Sequence, residues 1–294
     1  MPDMKMAFST NAFVRHPLAQ AVRTIGSIGY PGVEILADKP HFFPPTARAQ
    51  DLEDLQNALR HSGLVVSNVN ANTATGYYAD APPESFFEPA LSNADAKLRR
   101  WRIEYSKACI DLAREIHAPN VSVSSGRPLP QCPPDRGRAL FKEALAELVE
   151  YAGAADVHIG IEYEPGLLVQ TAHDTLDVLR GVNSPFLGVN LDLGHAYVAG
   201  EDLEWVIQEL AGVILNIHLE DIKGRDHYHL IPGLGDIDFQ KVFDALTKIG
   251  YNRFVTVELY TYPDNPEYAA QMSYEYLSPF FRGVVHAPLE HHSG

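Results

Sequence analysis

Short apolar, β-branched runs alternate along this chain with longer stretches of helical periodicity, and the alternation repeats eight times. The strand-like runs are Met6–Thr10, Gly32–Leu36, Leu64–Asn70 and Asn120–Ser124, then Val157–Glu162, Phe186–Asp192, Val213–His218 and Arg253–Glu258. Between them fall helical patterns at Leu18–Ile28, Asp51–His61, Asp95–His117, from Pro133 to about Ala155, after a Thr171 cap, and at Glu201–Leu210, Phe239–Lys248 and about Glu267–Phe281. Gly29 and Ser62-Gly63 punctuate the first two helices. Strands separated by helices require parallel pairing through right-handed crossovers. Eight such units without a break in composition predict an α/β fold, a closed (β/α)8 barrel forming a single domain over 1–294. An open doubly wound sheet would need a glycine-rich first turn, which Ser9-Thr10-Asn11-Ala12-Phe13 is not.

Two proline-rich excursions, about 37–50 and 72–94, follow the second and third strands. They stand on the rim where barrel active sites form and read as lid-like loops. A C-terminal tail is read over 283–294, and its last residues, Leu289-Glu290-His291-His292-Ser293-Gly294, are left out of the chemistry.

Composition narrows the partners. The 294 residues carry 23 basic against 38 acidic side chains, a formal charge of −15. That balance disfavours a nucleic-acid partner or an anionic membrane, both of which are bound through Lys and Arg. Cys109 and Cys132 cannot build a disulfide framework and suggest a reducing compartment. With no membrane-length apolar run and no signal-peptide pattern at Met1, the expectation is a soluble cytoplasmic protein.

The chemistry gathers at the strand ends. Glu162, Asp192, His218 and Glu258 close strands five to eight, spaced 30, 26 and 40 residues apart, so four neighbouring strands converge them on one point. Three carboxylates and an imidazole suit one divalent metal, Mn²⁺ first, with Mg²⁺, Co²⁺ and Zn²⁺ as alternatives. Without a cation, carboxylates so close would raise one another's pKa. His195 lies three residues after Asp192, and Glu164 shares the parity of Glu162. His227 and His229 lie on the loop after strand seven, where substrate hydroxyls are at least as good a target as a metal. Glu34, Asn68, Asn70 and Ser124 end earlier strands with mainly neutral groups, giving a rim that suits a polyhydroxylated substrate. Tyr77, Tyr78, Phe86 and Phe87 either cover a sugar ring or anchor their loop. Cys109 reads as core and Cys132 as a loop residue, neither as a nucleophile.

With these residues the chain resembles the xylose-isomerase-like TIM-barrel superfamily of sugar isomerases and epimerases. The motifs are Gly32-Val33-Glu34-Ile35, Ile161-Glu162-Tyr163-Glu164-Pro165, Leu191-Asp192-Leu193-Gly194-His195, Asn216-Ile217-His218-Leu219-Glu220-Asp221, Pro232-Gly233-Leu234-Gly235-Asp236-Ile237-Asp238 and Val257-Glu258. The resemblance implies that Glu162, Asp192, His218 and Glu258 hold one metal and that Glu162 and Glu258 also move protons. It implies substrate contacts at His195 and near His229. The activity so implied is isomerisation or epimerisation of a ketose, aldose or related carbonyl compound through an enediolate. A lyase acting on a keto-cyclitol or keto-glycoside is the alternative. The endonuclease IV branch fits less well, since Asn68, Asn70, Ser122 and Ser124 stand where it has histidines; a non-catalytic sugar-binding barrel is the remaining option. The expected partner is a small sugar or cyclitol, with self-association left open.

Overall fold

All eight predicted strands form, and each pairs in parallel with its neighbours in sequence until the last closes on the first. The structure, a computed structural model, describes residues 3–80, 85–130 and 132–282. The strands are β1 (Lys5–Ser9), β2 (Gly32–Leu36), β3 (Val65–Asn70), β4 (Asn120–Val123), β5 (His158–Ile161), β6 (Leu187–Asp192), β7 (Ile214–Leu219) and β8 (Phe254–Val257). Around them run α1 (Leu18–Ile28), α2 (Ala49–Ser62), α3 (Ala96–Glu115), α4 (Pro134–Ala154) and α5 (Ala172–Val182). The ring is completed by α6 (Leu193–Ala199), α7 (Leu203–Glu209), α8 (Phe239–Lys248) and α9 (Pro266–Arg282). The expected barrel is therefore present. The tail 283–294 and Pro82-Pro83 of the second excursion lie outside the described residues.

Local sequence explains the helices. In α8 the buried Phe239, Val242, Phe243 and Leu246 recur at three- and four-residue intervals, and Asp238 caps the N-terminus by accepting from the Lys241 amide at 3.2 Å. Each such side chain buried adds about 1.5–3 kcal/mol against the barrel. Thr171 caps α5 as expected, accepting from the Asp174 amide at 3.1 Å.

Three details depart from the sequence reading. First, β5 and β8 end one residue before Glu162 and Glu258. The ladder nevertheless reaches both: the Glu162 amide donates to Val123 O at 2.9 Å and the Glu258 amide to Leu219 O at 3.1 Å. Second, α6 starts directly from β6. Asp192 is its cap, with Oδ1 accepting from the His195 amide at 2.7 Å. Third, the barrel lumen is a polar, hydrogen-bonded layer. Asn120 donates to Asn68 (2.6 Å), Asn216 to Asn190 (2.7 Å), and Thr256 to Asn216 (2.9 Å), all buried.

Two carboxylates tie the rim loops. Asp38 accepts from the Thr73 and Thr75 hydroxyls (2.6 and 2.8 Å) and from the Thr75 and Gly76 amides (both 2.8 Å), pinning the first excursion to the second. Asp221 accepts the amides of Ile222, Gly233, Gly235 and Ile237 between 2.7 and 3.1 Å. The loop after β7 is thereby folded back on its own root, where Asp221 and Leu230 form an antiparallel bridge.

Candidate active site

The strand ends of β5 to β8 bring Glu162, Asp192, His218 and Glu258 together, with one potential ligand atom from each within 4.8 Å of the others. His218 Nδ1 faces Glu162 Oε2 at 3.1 Å, Glu258 Oε1 at 3.7 Å and Asp192 Oδ2 at 3.9 Å. Its other nitrogen, Nε2, is 2.5 Å from Glu34 Oε2, so the proton on Nε2 is donated to that carboxylate. Glu34 thus fixes the ring and its tautomer. This matches the carboxylate–histidine pairing that orients imidazole ligands at metal sites.

Other lumen groups hold the carboxylates. Asn190 Nδ2 donates to Glu162 Oε2, and Asn11 and Asn70 donate to Glu258 Oε1 at 2.9 and 3.0 Å. Asp192 Oδ2 is buried and accepts no hydrogen bond from an N–H group among the described residues; the fully buried Glu220 carboxyl lies beside Asp192, its own pKa raised by burial and by Asp192. Leaving a buried carboxylate oxygen bare is costly unless something positive completes it. The position of Asp192 Oδ2 in a set of hard oxygen donors and one imidazole nitrogen fits a divalent cation.

The electrostatics agree. Burial opposes charge on His218, but Glu34, Glu162 and Glu258 outweigh it and raise its pKa well above 6.5. Burial also raises Glu258, reinforced by Glu162, Glu34 and Asp192 against the lowering effect of His218. Glu34 remains below its ordinary value because His218 and its hydrogen bonds overcome burial. The cluster demands positive charge, which protonation of His218 or a bound divalent cation would supply.

A cavity of about 480 Å³ opens above the cluster. Glu162 and Glu258 line it; Asp192 and His218 are absent from its lining, as two ligands behind and two facing substrate would be. Of the expected substrate contacts, His195, Glu164, His227, His229 and Asn70 line the cavity. Three do not. Glu34 is buried against His218, Asn68 donates to Glu34 and Ser122 (2.8 and 3.0 Å), and Ser124 donates to Asn72 O at 3.0 Å. Their polar groups are spent inside the lumen and the loop root, which corrects their assignment to the substrate.

His195 and His229 share one design. His195 Nδ1 lies 3.0 Å from Tyr163 O and His229 Nδ1 lies 2.9 Å from Glu258 O. A carbonyl only accepts, so Nδ1 carries the proton and Nε2 is left as an acceptor. Burial pushes both imidazoles down to about 3, so they are neutral. Glu164 goes the other way, raised to about 8 by burial and by the nearby Glu162 and Asp192.

Several lining residues were not foreseen. Asn11 follows β1 in a 3-10 turn, and Asn72, Lys39, Arg127 and Tyr260 come from rim loops. The polar run Ser9-Thr10-Asn11 at a strand end was the available signal for Asn11. The aromatic excursion divides its labour: Phe86 and Phe87 line the cavity, while Tyr77 packs on Trp101 with ring centroids 4.6 Å apart. Cys109 and Cys132 are both free and buried.

A closed barrel with a carboxylate–imidazole cluster at the ends of β5 to β8 is an enzyme-like scaffold. The model of the xylose isomerase-like TIM barrel family matches residues 22–279, and the chain belongs to that family. It is 27% identical over 277 residues to fructoselysine 3-epimerase of Shigella flexneri, covering 92% of this chain and 96% of that one. Among solved structures it is similar to a D-tagatose 3-epimerase-like protein (TM-score 0.80, 22% identity, 96% and 98% coverage). It is also similar to the IolI protein with a bound zinc atom (TM-score 0.77, 20% identity, 97% and 100% coverage). No helix among the described residues is long and apolar enough to cross a membrane.

Proposed function

We propose that this protein is a metal-dependent sugar epimerase that inverts the carbon next to a ketose carbonyl. The observation that carries the reading is the pair of buried glutamates, Glu162 and Glu258, facing one cavity across a cluster suited to a divalent cation. Glu162, Asp192, His218 and Glu258 would hold the metal. When bound, it withdraws electron density from the carbonyl and so acidifies the neighbouring C–H.

The chain's own groups do the rest. One of Glu162 and Glu258 takes the proton from C3, leaving an enediolate, and the other returns a proton on the opposite face. Asn11 and Asn70 hold one Glu258 oxygen, and Asn190 holds one of Glu162, which fixes both carboxylates for transfer. The Nε2 atom of His195 accepts a hydrogen bond from a substrate hydroxyl, while His229 Nε2 lies 3.3 Å from His227 Nε2, which links the two loop histidines. Being neutral, with their protons committed to backbone carbonyls, His195 and His229 are poor acids for expelling a leaving group. Kinship to a fructoselysine 3-epimerase supports the same reaction class.

The test is a panel of ketoses in deuterated water with Mn²⁺, Mg²⁺, Co²⁺ or Zn²⁺. An epimer of unchanged skeleton carrying one deuteron at the inverted carbon is expected. Loss of water or of an aglycone would make it a lyase instead. Glu258→Gln should abolish both turnover and solvent exchange while the barrel stays folded; wild-type exchange in that variant would remove Glu258 from the reaction.

A further inference from the structure

We infer, building on the epimerase reading, that the substrate is a ketose bearing an anionic group remote from its reacting carbon, and that Lys39 and Arg127 receive that group. The cavity has two unlike walls. Over β5 to β8 it presents Glu162, Glu164 and Glu258 with the three histidines; over β2 to β4 it presents Lys39 and Arg127. Lys39 stands in the loop after β2 and Arg127 in the loop after β4, flanking the β3 loop. Among the described residues neither takes part in any of the ion pairs of the structure; both are exposed at the mouth, and Lys39 Nζ lies over the Phe43 ring, 5.7 Å from its centroid, beside a neighbouring surface cavity that Lys39 also lines. Val14, Leu36, Phe86 and Phe87 also line the cavity and give it apolar surface for a carbon chain. The cavity's 480 Å³ leaves room beyond a single sugar.

The charge balance gives these cations a use. A chain of net charge −15 with carboxylates at its centre repels an anion, so an anionic substrate needs local positive charge to enter and to stay. A phosphate ester and a carboxylate share the chemistry that Lys and Arg recognise. Arg127 also lies close enough to Glu164 to act on its charge. If balancing Glu164 were its whole role, its loss would affect charged and neutral substrates alike.

The experiment measures kcat/KM, and Kd by calorimetry, for fructose, fructose 6-phosphate and fructuronate. It uses wild type, Lys39→Ala, Arg127→Ala and the double variant. Wild type should prefer at least one anionic substrate by about tenfold or more. The preference should fall in each single variant, collapse towards unity in the double variant, and shrink as salt rises. Whichever of phosphate and carboxylate is preferred names the group. Absence of preference in wild type, or its survival in the double variant, overturns the inference and leaves the epimerase reading standing. If no ketose is turned over, that reading fails, and the calorimetric preference still decides the role of Lys39 and Arg127.

Discussion

The contact between Glu34 and His218 shows how one buried carboxylate can set the chemistry of another residue. Both side chains are fully buried, and the ring cannot turn without breaking the bond to Glu34. Glu34→Gln keeps an acceptor but removes the charge that would strengthen His218 Nδ1 as a metal ligand. It should weaken divalent-metal affinity roughly 10- to 100-fold with little change in fold, measured by titrating metal into the stripped protein. Unchanged affinity would make Glu34 a packing residue. Cys109 yields a second prediction at this scale. Burial pushes its thiol from 9.0 up to about 12, so it should resist iodoacetamide at pH 8 until the protein unfolds, as read by mass spectrometry. The raised folded pKa fixes the sign of its linkage. Its contribution to stability is complete below pH 9, where the unfolded thiol is also neutral, and is lost as pH rises towards 12.

At the scale of an element, α6 is held by what lies beneath it. A Cβ at Gly194 would sit 1.7 Å from Glu220 Oε1, far inside contact distance, because Glu220 is fully buried under the first turn of the helix. Gly194→Ala should therefore shift α6 and with it Asp192, costing roughly 1–3 kcal/mol by urea unfolding and lowering activity. A Glu220→Ala partner substitution should recover part of that stability in a double-mutant cycle. Purely additive costs would separate the two residues. This helix was illegible in the sequence: seven residues give under two turns, too few for a period, and its cap Asp192 reads as the end of a strand. The strands and longer helices were legible because each repeats its period several times. Ile161-Glu162 and Val257-Glu258 announced the cluster for the same reason. Lumen and rim were harder to tell apart, since one step along a strand is only about 3.3 Å. Glu34, Asn68 and Ser124 were assigned to the substrate on that account, and Lys39 and Arg127, on irregular loops, carried no period at all.

For the whole molecule, the polar lumen stands on its own hydrogen bonds, so the barrel should stay folded with or without a divalent cation in the cluster. Stripping with a chelator should leave the far-ultraviolet circular dichroism unchanged. Re-adding a divalent cation at about 100 times its Kd should add ~2.7 kcal/mol, a rise in Tm of roughly 4–5 °C for a chain of this length. A chelated protein that loses its secondary structure would mean that the cluster is part of the folding core. The knot of amides at Asp221 has a consequence of a different kind. It seals the excursion after β7 at its base, so the exposed stretch from Lys223 to Asp226 hangs from a closed neck, while the buried His229 stays bonded to Glu258 O on the rim. Lengthening such a bight costs only about 0.6 kcal/mol per doubling. Evolution or an engineer can therefore exchange that exposed stretch like a cartridge while the barrel and the strand-end cluster go untouched.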